Sequence, residues 1–185
     1  MISTRTLPHS LEAEEFLLSC CLLDGADIIS RCITAGITPA SFYHPPHQTV
    51  FDHLVTLFSA SKPIDVAILA EELKNSKQLE AVGGYPFLLQ VSGRIPTTGQ
   101  AGYFMERVVE THKLREVIKL STGLAEACYD YSGGGVGEEV IAPLLTASCL
   151  FRLIRRHPRH GKNPSIRRSP TQTGLLRTHY PPMPR

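Results

Sequence analysis

The sequence predicts an all-α protein: a helical globular domain, then a projecting helical hairpin, then a disordered basic tail. Three observations carry this. Apolar residues recur every three to four positions between Leu11 and Tyr131. Residues that start and stop helices stand at the ends of those runs. Acidic residues disappear after Phe151. With 185 residues, 42% of them hydrophobic, the chain can fill one ordinary core with appendages, but not two domains. The expected division is a helical globule over 1–98, a hairpin over 99–151 and a tail over 152–185.

The first helix is expected from Leu11 to Leu23. Ser10 stands as its N-cap, and Glu12, Glu14 and Glu15 favour the positive end of the helix dipole. Phe16, Leu17, Cys20, Cys21 and Leu23 form its apolar stripe, and Asp24-Gly25 breaks it. A second helix runs from about Ala26 to Ala35 and stops at Gly36. Pro39 and Ser41 restart the chain toward Phe42, Tyr43 and the Pro45-Pro46 pair, from which a longer helix extends to about Ala60. Pro63 forces extended backbone before it, Asp65 caps the next helix, and Leu69 and Leu73 lie four residues apart on its inner face. Gly83-Gly84 separates this from a short helix over Tyr85 to Val91.

From Gln100 to Tyr131 there is no proline, and Leu114, Val117, Leu120, Leu124, Ala127 and Tyr131 repeat at helical spacing. Such a helix is roughly 45 Å long, more than a domain of this size can cover, so part of it should project. Ser132 to Gly135 forms a turn, and Glu138-Glu139 opens a last helix whose Ile141, Leu144, Leu145 and Cys149 lie against the long one. A two-helix hairpin leaves apolar flanks, which a second copy covers. Leu114, Val117, Leu120, Leu124, Ile141, Leu144 and Leu145 are the candidate self-association residues.

The formal charge of +2 conceals an asymmetry. Residues 152–185 hold nine Lys or Arg, six prolines and no acidic residue, whereas the preceding residues carry a net charge of −7. The tail fits a disordered segment. Its Arg152, Arg155, Arg156, Arg159, Lys162, Arg167 and Arg168 are candidate nucleic-acid contacts of the salt-dependent, sequence-independent kind, or else a solvated charge run.

No catalytic centre, cofactor site or metal site is expected. The glycine run from Gly133 to Gly137 leads into Glu138 and Glu139, where a phosphate loop needs Lys and Ser or Thr, and G-x-x-x-x-G-K-[ST] is absent from the sequence. His44, His47 and His53 lack supporting Cys or carboxylate spacing for a metal, and His47 is better read as packing on the core. No G-x-S-x-G elbow singles out a nucleophile. The five cysteines are odd in number and sit among apolar residues, which fits reduced core thiols. Without a leader-like start or a membrane-length apolar run, the expected location is the cytoplasm, with no membrane partner.

Five patches in order resemble the N-terminal domain of DnaB-type replicative DNA helicases, from about Leu7 to Phe151. The first is Pro8, Ser10 to Glu14 and Leu22-Leu23-Asp24; the second is Phe42-Tyr43, His47 and Val50-Phe51. The third is Pro63-Ile64-Asp65 with Leu69, Glu71, Glu72 and Leu73, and the fourth Gly83-Gly84 with Phe87-Leu88. Pro96-Thr97, Tyr103, Val108-Val109-Glu110, Leu114-Arg115 and Ile118 complete the series.

The resemblance implies a helical globule bearing a hairpin whose copies pair within a hexameric ring around DNA, and a docking surface for primase. It also implies a chain truncated before the ATPase motor, unable to unwind DNA alone. The expected function is therefore oligomerisation and docking of primase or intact helicase subunits in DNA replication. The alternative is a stand-alone nucleic-acid-binding dimer that uses the tail. Whether the tail has a role or arises from a shifted reading frame stays open.

Overall fold

A serine starts the fold where the sequence places one. Ser10 adopts an extended conformation and its hydroxyl accepts from the backbone N–H of Ala13, opening α1 (Leu11–Leu23). The computed structural model describes residues 6–129. Among these residues it is entirely helical: α1, α2 (Gly25–Thr34), a 3-10 turn (Pro39–Ser41), α3 (Pro45–Ser59), α4 (Val66–Asn75), α5 (Gly84–Ser92) and α6 (Ala101–Tyr129).

The ends of these helices have local causes. Asp24 closes α1 and leads directly into α2, so the expected break there is a single residue. α2 ends with Gly36 at φ 75°, where its N–H donates to Ile33 and that of Ile37 donates to Cys32 at 2.9 Å. This closure needs the left-handed conformation that glycine adopts without a Cβ penalty. Pro45 and Pro46 occupy the first turn of α3, where a missing N–H costs nothing. The Asp65 carboxylate accepts from the Ala67 N–H at 2.7 Å and opens α4.

α1 is the hub and packs against α2, α3, α5 and α6. Leu17, Leu18, Cys20 and Cys21 from α1 meet Ile28, Ile29 and Cys32 from α2, Val50, Phe51, Leu54 and Leu57 from α3, Leu69 and Leu73 from α4, and Leu88 from α5. Burying each large aliphatic or aromatic side chain contributes about 1.5–3 kcal/mol before conformational entropy is subtracted. Two details of the expected stripe on α1 are corrected. Leu18 is fully buried, whereas Leu23 is 50% exposed, because it sits at the helix end beside the turn into α2.

Cys20, Cys21 and Cys32 are buried free thiols, as expected, but Cys128 is exposed because it lies far out on α6. Burial, and then neighbouring Cys32, pushes the Cys20 thiol up to about 11. A hydrogen bond with Cys32 and burial likewise hold Cys21 protonated. Cys20 and Cys21 are therefore packing groups with little thiolate character.

The packed body does not stop at residue 98. Ala101, Phe104, Met105, Val108, Thr111 and Arg115 of α6 are all buried against it. The first half of the long helix, which the sequence assigns to the 99–151 unit, thus supplies one wall of the core of the 1–98 globule.

Candidate self-association surface on the long helix

With 29 residues, α6 is about 44 Å long. Its two halves face different ways. From Ala101 the buried positions advance by three or four residues to Arg115, the last buried residue described on α6. At about 100° per residue, Leu120 lies about 140°, Leu124 about 180° and Val117 about 200° around the helix from Arg115. The second apolar stripe thus points away from the direction in which the first enters the core.

Of the predicted self-association residues, Leu114 is 48% and Val117 39% exposed, while Leu120 and Leu124 are half-buried. Ile118, 40% exposed, adds an apolar residue to this region that the sequence reading did not single out for pairing. Ile141, Leu144 and Leu145 lie outside the described residues, as do the candidate nucleic-acid contacts Arg152, Arg155, Arg156, Arg159, Lys162, Arg167 and Arg168.

Where α6 leaves the body, a polar joint holds it. The Arg115 guanidinium donates to the carbonyl of Ser41 at 2.7 Å and to that of Pro8 at 3.1 Å. It also lies 5.8 Å from the centroid of the Tyr43 ring, whose face stacks on His9 at 4.2 Å. The segment that follows Ser41 is held in turn by Glu14. This carboxylate is 1% exposed and accepts from the backbone N–H groups of Tyr43 at 2.7 Å and His44 at 3.3 Å, and from Nδ1 of His47 at 2.8 Å. His47 packs on the core and is 1% exposed. Three charged or titratable side chains from α1, α3 and α6 therefore converge on the segment between the 3-10 turn and α3.

Sequence reasoning placed Glu14 among the dipole-favouring carboxylates and missed this role. A signal was present. Glu14 stands in register with Leu17, Leu18 and Cys21, His47 with Val50, Phe51 and Leu54, and Arg115 with Phe104, Val108 and Thr111. A charged group in register with an apolar stripe faces the core, and it persists there only if it is hydrogen-bonded.

His44, His47 and His53 do not form a metal centre. His44 and His47 are in ring contact, with centroids 4.7 Å apart, while Nε2 of His53 lies 2.9 Å from the Gln78 side-chain oxygen. Among the described residues no group of three or more His, Cys, Asp or Glu is arranged to hold a metal ion. No described helix is long and apolar enough to cross a membrane.

Residues 6–110 match the family model for the DnaB-like helicase N-terminal domain. The chain is 30% identical over 129 residues to the replicative DNA helicase DnaB of Geobacillus stearothermophilus and 31% identical over 129 residues to that of Leifsonia xyli. Against the DnaB of Mycobacterium leprae it is 32% identical over 132 residues. Each alignment covers 70% of this chain but only 28%, 28% and 21% of the relative, so the chain spans about a quarter of their length.

Among solved structures, the N-terminal domain of DnaB helicase from Mycobacterium tuberculosis superposes with a TM-score of 0.72 at 30% identity, covering 78% of this chain and 99% of that domain. A DnaB-like replicative helicase, described together with its interactions with primase, has a TM-score of 0.62 at 17% identity, covering 80% of this chain and 35% of that one. The second likeness concerns the fold alone. On the family match, the shared sequence and the common helical architecture, this chain belongs to the DnaB-like helicase N-terminal domain family.

Proposed function

We propose that this chain serves DNA replication as an oligomerisation and docking domain of the DnaB-like kind, pairing with further copies through the far half of α6. The observation that carries the reading is the change of face at Arg115. Before it, apolar residues of α6 enter the chain's own core; after it, Val117, 39% exposed, and the half-buried Leu120 and Leu124 lie on the opposite side of the helix, beyond the body's last buried residue described on α6. An exposed apolar stripe on a projecting helix is a surface for a partner helix. A second copy carries the same stripe, so an isologous pairing buries both at once.

Primase and intact helicase subunits are the proposed docking partners, in keeping with the relative whose structure was described with primase. The basic residues of 152–185 are proposed to add salt-dependent contact with nucleic acid. The proposed location is the cytoplasm.

Sedimentation equilibrium of the full chain and of Leu120→Asp tests the pairing. The wild type is expected as a dimer or larger, and the variant shifted toward monomer by a charge on the apolar stripe. An unchanged mass would remove the pairing claim. Co-migration with primase in gel filtration, and DNA binding titrated with salt with and without residues 152–185, test the two docking partners.

A further inference from the structure

Two ring nitrogens in the joint have no hydrogen-bond partner although both are shut off from solvent: Nε2 of His47 and Nδ1 of His44. His47 uses its other nitrogen on Glu14, so Nδ1 carries the hydrogen toward the carboxylate and Nε2 is left as a bare lone pair. Nδ1 of His44 is tolerable for the same reason, as an acceptor without a proton. A buried acceptor lacking a donor costs less than a buried N–H lacking an acceptor. At His44 the site thus accepts neutral imidazole and opposes a further proton. The rings touch at 4.7 Å between centroids, and the ring of Phe87 from α5 stacks on the other side of His47 at 5.9 Å.

We propose that the segment Ser41–His47 is a proton-sensitive latch, fastened by Glu14 on one side and Arg115 on the other, which holds the base of the long helix while the buried, unpartnered Nδ1 of His44 carries no proton. Among the described residues, the charged and titratable groups beside it come from four parts of the fold. From α1 come Glu14 and Glu15, from the N-terminal segment His9 on the Tyr43 ring, from α3 His47, and from α6 Arg115 and His112. Glu14 and Glu15 favour a proton on His44, but desolvation and the neighbouring His47 outweigh them and lower its affinity. His112, whose Nδ1 is also buried without a partner, is lowered by burial and then by Arg115.

The sign follows from these directions. A histidine that binds protons more weakly in the latched state than in the open one stabilises the latch fully above its ordinary pKa of 6.5, and that stabilisation is lost progressively as the pH falls below it. Protonated His44 would put an N–H without an acceptor beside the Tyr43 and His44 amides that Glu14 holds. The Ser41 carbonyl that receives Arg115 lies on the same short segment, so loosening there reaches α6 directly.

The test is an NMR titration of the full chain from pH 8 to 5, following the His44 ring carbons, the Tyr43 ring and the Arg115 guanidinium. The expected result is loss of the Arg115 guanidinium signals and a shift of the Tyr43 ring signals at the midpoint of His44 titration, below 6.5. His44→Gln should abolish that transition, and His112→Gln should retain it. Constant Tyr43 and Arg115 signals over the range overturn the latch, as does an identical transition in His44→Gln. If His44→Gln does not fold, the wild-type midpoints decide: coincidence of His44 with Tyr43 and Arg115 supports the latch, and separate midpoints overturn it.

Discussion

The near and far halves of α6 share one backbone and one helical period, yet their apolar stripes point in different directions. In the near half, Phe104, Met105 and Val108 are closed into the core beside α1, with the Phe104 and Phe16 rings 5.0 Å apart. In the far half, Val117, Leu120 and Leu124 point to the other side of the helix, and Val117 is 39% exposed. Helical periodicity reports that a stripe will be covered, but not by which molecule. The change of azimuth at Arg115 bears on that distinction: one stripe belongs to the fold, and the other is the one proposed to serve an assembly.

The largest expected effect lies at the joint between the halves. Glu14→Ala removes the acceptor shared by Tyr43, His44 and His47, and leaves buried donors without partners. Chemical unfolding of the variant should show a loss of about 3–5 kcal/mol, as for breaking other buried pairs. A loss under about 1 kcal/mol would mean that the carboxylate is replaceable by water.

A matched pair of substitutions then compares the halves directly. Val108→Ala, at a position 1% exposed, is expected to cost about 2 kcal/mol through lost burial and the cavity left behind. Val117→Ala should leave the unfolding of the body within about 0.5 kcal/mol of wild type. Equal costs at the two positions would erase the distinction between a folding stripe and an assembly stripe.

Much of this architecture was legible because its causes are local. Ser10 and Asp65 are side-chain caps and Gly36 is a closing glycine, and each acts within three residues of itself. Leu69 and Leu73, spaced four apart, are both fully buried. What escaped the sequence reading depends on residues brought together from far along the chain. Glu14 meets Tyr43, His44 and His47 about thirty residues away, and Arg115 meets carbonyls 74 and 107 residues before it. Their positions in register with apolar stripes marked them as facing inward, but no spacing rule names the partner. The burial of Ala101 to Arg115 against the globule was likewise not legible, because a helix buried along only part of its length carries no local mark of the change. Cys128 shows the same limit, since an apolar neighbourhood in sequence became an exposed position on the projecting half.

The central claim is that the far half of α6 pairs copies through one face and not the other. Lys119 lies on the exposed far half but only about 40° around the helix from Arg115, whereas Leu124 lies about 180° around. Sedimentation velocity of Leu124→Asp and Lys119→Asp, compared at equal concentration with wild type, isolates the face. A fall toward monomer in Leu124→Asp with wild-type assembly in Lys119→Asp is the predicted result. Retention of the wild-type mass by both variants, or equal dissociation of both, would contradict the account.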